Sequence, residues 1–76
     1  MDTEREVGRF EAEDDEGNRY TVIEWQHIII SRPISGRVQE VPGVVRFALI
    51  TGGHVEPKDD GSFQILDSDK IIRKVR

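Results

Sequence analysis

Three observations predict an all-β domain, either a small antiparallel barrel (SH3-like) or a strongly twisted meander of five to six short strands. Nine Ile and eight Val stand against two Leu, two Ala and one Met. β-Branched side chains lose rotamer freedom in a helix and pack well on a pleated sheet. Turn signals of Gly, Pro, Asn and Asp recur at a spacing of about 8–12 residues, as in small sandwiches and barrels. The segment Tyr20–Ser31, Y-T-V-I-E-W-Q-H-I-I-I-S, is the longest Gly- and Pro-free run that is also dense in β-branched and aromatic residues. Alternate strand residues face opposite sides, so Ile28 and Ile30 point one way and Ile29 the other. Both faces of this strand require cover.

The first element expected is a half-buried strand from Val7, with Phe10 and Ala12 on one side and Arg9, Glu11 and Glu13 on the other. Residues 1–6 have little to bury and read as a disordered terminal segment, leaving 7–76 as a single small β-domain. Asp14-Asp15-Glu16-Gly17-Asn18 is a hairpin loop in which Gly17 takes positive φ. In the long strand, Tyr20 and Val22 oppose Thr21 and Ile23. A bulge near Glu24–His27 would reconcile this half with the second, where Trp25, His27 and Ile29 share a face.

Arg32-Pro33-Ile34-Ser35-Gly36 breaks the strand. A short strand Arg37–Val41 follows, then a turn at Pro42-Gly43. Val44–Ile50 is the next strand, with Val45, Phe47 and Leu49 on one face. Thr51-Gly52-Gly53 turns the chain, and His54-Val55-Glu56 pairs back until Pro57 halts the ladder. Lys58-Asp59-Asp60-Gly61 turns again. Ser62–Leu66 carries Phe63 and Ile65 inward, and Asp67-Ser68-Asp69 is the last turn. Lys70–Arg76 reads as a strand, with one short amphipathic helix capped by Ser68 as the alternative.

A chain of 76 residues holds one small core, and chains of this size bury only about 60% of their unfolded surface. No cysteine is present, so tight packing or self-association must supply what a disulfide or thiolate metal site would. That composition fits a reducing cytoplasm. No apolar run reaches the roughly 18 residues of a membrane span, and the acidic start M-D-T-E-R-E is unlike a signal peptide. A cytoplasmic protein with no membrane association is expected. Charge is uneven: residues 1–31 hold nine acids and three bases, residues 32–76 six acids and eight bases.

The pieces F10-E11-A12, D14, G17, Y20-T21-V22 and V41-P42-G43-V44-V45-R46-F47 resemble short bacterial proteins of unassigned function. L49-I50-T51-G52-G53-H54-V55-E56-P57, running into D59-D60-G61-S62-F63, extends that resemblance over residues 10–75. Its motifs are turn and core positions. The resemblance implies a bacterial cytosolic protein and carries no catalytic or binding residue across.

Candidate chemistry is sparse. His27 and His54 are the only imidazoles, and only Glu56 stands near His54 in sequence; a metal or catalytic site needs several such groups converging on one point. The Asp14–Glu16 cluster lacks the alternating ligands and closing Glu of a calcium loop. Asp59-Asp60 and Asp67/Asp69 are ordinary turn chemistry in a chain too small for a two-carboxylate cleft. Thr51-Gly52-Gly53 lacks the Lys and hydroxyl residue of a phosphate loop. Serines 31, 35, 62 and 68 carry no mark of activation. The expectation is a non-enzyme with no cofactor and no metal.

Two binding functions remain. The first is a protein-interaction module, self-associating as a homodimer, with Trp25, His27 and Ile29 as contact residues; against it, Trp25 would simply anchor the core of the barrel. The second is weak binding of single-stranded nucleic acid through the basic segment Lys70, Arg73, Lys74 and Arg76; against it, those charges would protect a solvated edge strand. The negative total charge and the shortage of spare aromatic residues disfavour the second.

Overall fold

The long hairpin built on Asp14 frames the molecule. A computed structural model describes residues 2–34 and 36–75. It contains β1 (Asp2–Asp14), β2 (Arg19–Ser31), β3 (Gln39–Leu49), β4 (His54–Pro57), β5 (Phe63–Ile65) and β6 (Lys70–Lys74). Each strand pairs antiparallel with the next, and β6 returns to β1, closing a six-stranded barrel with no helix among the described residues. The all-β reading holds, and its barrel form is the one adopted.

The hairpin turns where the sequence places it. Gly17 has φ 85°, a region open to glycine without steric cost. The Asp14 carboxylate accepts from the backbone amides of Glu16 and Asn18, from the Asn18 side chain and from the Tyr20 hydroxyl, at 2.9–3.1 Å. Its side chain is only 4% exposed. Burial works against the charge, but these donors outweigh it and hold the carboxyl at about 2.

Inward positions on the strands make the core. Ala12, Val22, Val55, Ile65 and Ile72 are buried, with Phe10, Tyr20, Phe47, Leu49 and Phe63 packed against them. Phe63 packs tilted against Phe10 at 5.0 Å and edge-on to Phe47 at 5.3 Å between ring centres, separations at which aromatic pairs attract. The alternations expected for Phe10/Ala12, Tyr20/Val22 and Phe63/Ile65 all point inward, and Lys70–Lys74 is a strand.

Only part of β1, β2 and β3 belongs to this barrel. β6 meets β1 at Ala12–Asp14, and β4 meets β3 at Phe47 and Ala48. Beyond those pairs the three strands continue as an arm, made of Asp2–Glu6, Trp25–Ser31 and Gln39–Arg46. The molecule therefore measures 55 × 21 × 19 Å.

The arm corrects three expectations. Residues 2–6 are not a disordered tail: they pair with Trp25–Ile29 of β2, and Met1 lies outside the described residues. The pairing follows a bulge at Val7, between the Glu6 and Gly8 pairs, and is held by ladder bonds and cross-strand charges rather than by burial. Pro42-Gly43 is not a turn, and Arg37–Val41 and Val44–Ile50 are not separate strands. They merge into β3, because among the described residues β3 has no neighbour beyond it in the arm and an edge position tolerates a proline's missing donor. Val45 also departs from expectation: it shares the parity of Phe47 and Leu49 but is exposed, because it stands where the sheet has left the barrel.

The bulge expected within the long strand near Glu24–His27 is not there: β2 alternates without an inserted residue, and the irregularities opposite that stretch belong to its partners, Val7 on β1 and Gly43-Val44 on β3. On β3, Gly43 and Val44 together oppose His27. A side chain at Gly43 would bring its Cβ within 2.9 Å of His27 Cδ2, so the imidazole occupies the space that glycine leaves. Gln26 Nε2 donates to the Gly43 carbonyl at 2.8 Å and to that of His27 at 3.1 Å, satisfying groups that the irregular ladder sets loose.

Candidate interaction surface on the arm

Strand alternation assigns the arm two faces. Directly paired residues share a side, so Trp25 groups with Glu6 and Arg46, His27 with Glu4, and Ile29 with Asp2 and Val41. The structure thus brings the three sequence-predicted contact residues together on one outer face. Trp25 is half-buried there and takes no part in the barrel core, so the reading of Trp25 as core anchor is corrected.

Cross-strand charges brace this face. Arg46 makes a two-pronged contact with Glu4, its second nitrogen donating at 2.7 Å. That hydrogen bonding holds the Glu4 carboxyl below its usual range and the Arg46 guanidinium above its own. The same guanidinium lies 5.8 Å from the Trp25 ring centre, within cation–π range. His27 Nε2 stands 3.3 Å from Asp2. The bracing spans all three strands and leaves the distal apolar residues uncovered.

Those residues define the exposed patch. Ile28, on the inner face, is 6% exposed, whereas Ile29, Val41 and Val44 on the outer face are 41%, 45% and 77% exposed. Ile34 does not fold back over them: it is fully exposed in the loop after β2. Of the two faces of β2 that required cover, the one with Ile28 is covered and the one with Ile29 is left outside. No family model, curated protein or solved structure matches this chain. The reading of the arm rests on its own geometry.

The basic segment is arranged differently. Lys70 lies 3.4 Å from Glu16 and 3.7 Å from Asp14, Arg73 lies 3.9 Å from Asp60, and Lys74 sits 5.2 Å from the Phe10 ring centre. Arg76 falls outside the described residues. β6 is paired on both sides, so it is not the solvated edge strand expected. Among the described residues no group of three or more His, Cys, Asp or Glu side chains converges as a metal site would.

Val41, Val44, Arg46 and Glu4 were not singled out in the sequence. The signal for Glu4 is visible in retrospect: Asp2, Glu4 and Glu6 alternate with Thr3 and Arg5, the period of a strand with one acidic face. Val41 and Val44 were hidden by the Pro-Gly between them.

Proposed function

We propose that this chain is a non-catalytic protein-interaction module that associates with itself through the arm. The observation that carries this reading is the outer-face patch of Ile29, Val41 and Val44, which no element among the described residues covers. Exposed apolar residues gathered on one face mark contact surfaces, whereas scattered ones need no explanation. Trp25, His27 and Arg46 beside them add the aromatic and Arg anchors that concentrate binding energy at interfaces.

Protein contact is favoured over nucleic acid because Lys70, Arg73 and Lys74 already face carboxylates or an aromatic ring, and the arm's own charges are mostly acidic. Sedimentation velocity at micromolar concentration, in low and high salt, tests the reading. An associated species that persists in high salt is expected. A monomer throughout, or binding of a single-stranded oligonucleotide that collapses as salt rises, would refute it.

A further inference from the structure

We infer that the partner on the outer face is a second copy of this chain, related by a two-fold axis running along β2, so that β1 of each copy lies across from β3 of the other. This deepens the proposed self-association by assigning its face and the direction of its axis.

Area and shape point to a partner of this size. The chain exposes 5543 Å², whereas a folded monomer of 8.7 kDa exposes about 4,700 Å². The excess of about 800 Å² is what each partner contributes to a standard-size interface. The radius of gyration is 15.6 Å, against about 11 Å for a compact domain of this length and about 15 Å for one twice as long. An extent unusual for one chain is ordinary for two lying side by side.

Charge selects the axis. On the outer face β1 presents Asp2, Glu4 and Glu6, while β3 presents Val41, Val44 and Arg46. Two sheets packed face to face can be related by an axis along the strands or by one across them. An axis across the strands would lay β1 over β1 and set acids against acids. An axis along β2 lays β1 over the partner's β3, placing the acidic row opposite Arg46 and the two valines. Trp25 and Ile29, on the middle strand, then lie nearest the axis and meet their own copies. Each outer face covers the other, as an isologous contact requires, with β2 against β2 and each β3 against the partner's β1, in the aligned manner usual for stacked sheets.

Trp25 is the only tryptophan, so its emission reports on this face alone. The experiment follows light-scattering mass and Trp25 emission together over a dilution series of the full chain. It compares the parent with Val44→Glu, Ile29→Lys and a control, Ile34→Lys. Val44 is so exposed that glutamate there leaves the barrel intact, which the far-UV spectrum verifies, yet in the dimer it would face the partner's acidic row. The expected result is a dimer whose emission shifts to the red as it dissociates on dilution. The Val44 and Ile29 variants should dissociate at concentrations at least tenfold higher, and the Ile34 control should match the parent. A dimer that withstands Val44→Glu, or whose Trp25 emission ignores dilution, overturns this interface while self-association stands. A parent that stays monomeric overturns both.

Discussion

Replacing Gly43 with alanine should destabilise the protein through His27, and removing the imidazole should reverse the effect. The backbone at Gly43 does not have positive φ, so alanine is conformationally allowed there. Against glycine in a strand it would ordinarily gain about 0.5–1 kcal/mol. The obstacle is local: the new methyl would sit 2.9 Å from His27 Cδ2 and 3.5 Å from its Cβ and Cγ. The neighbouring ring atom, Nε2, contacts Asp2 at 3.3 Å, so swinging the ring aside gives up that contact. Overpacking of this kind costs about 1–3 kcal/mol, leaving a net loss of about 1 kcal/mol. For a domain this small that lowers Tm by about 4–8 °C. Thermal melts of the parent, Gly43→Ala, His27→Ala and the double variant, all at one protein concentration, provide the cycle. The two substitutions should couple, with Gly43→Ala becoming neutral or stabilising once His27 is alanine. If Gly43→Ala alone melts at or above the parent temperature, the imidazole does not require the glycine and the account of the bulge fails.

Two further outcomes follow from the turns. Asp14 has an ordinary carboxyl value when unfolded and about 2 when folded, so its stabilising effect is complete above pH 4 or so and is lost as pH falls towards about 2. Melting temperature should therefore drop through this window, and Asp14→Asn should melt lower at neutral pH with a shallower acid slope; the slope that remains belongs to Glu4, Glu6 and Asp60, whose carboxyls are also held down. Gly17→Val and Gly61→Val each force a β-branched side chain into φ near 85–88°. Each should cost about 1 kcal/mol or more, and unchanged melting curves for both would refute the assigned turns.

The barrel was legible because its turns carry Gly, Asp or Asn and its inward residues alternate. Phe10, Ala12, Val22, Phe63 and Ile65 are cases where local pattern and burial agree. The arm was not legible for two physical reasons. Residues 2–6 are exposed and polar, so a criterion based on burial assigns them to solvent, although the ladder to β2 and the Glu4–Arg46 pair, 42 positions apart in sequence, hold them in place. Pro42-Gly43 has turn chemistry, and only the position of β3 at an edge, together with the imbalance of two residues against His27, makes it strand. The shared face of Trp25, His27 and Ile29 was legible from alternation alone. Its partners on β1 and β3 depend on register, which two bulges shift.

Pro42 has a consequence beyond the shape of the arm. An open strand edge is a template on which further chains can add without limit, the route to fibrils. Along β3 that edge is interrupted by a residue with no amide hydrogen, then by Gly43 and Val44 at the bulge, with the charge of Glu40 nearby. Along β1 the exposed start carries Asp2, Glu4 and Glu6. Both edges thus resist strand-by-strand growth, while the flat of the arm keeps the apolar patch of Ile29, Val41 and Val44. Contact through the flat uses up its own surface after one partner, whereas contact through an edge always exposes another. The self-association proposed for the outer face would therefore stop at a finite assembly.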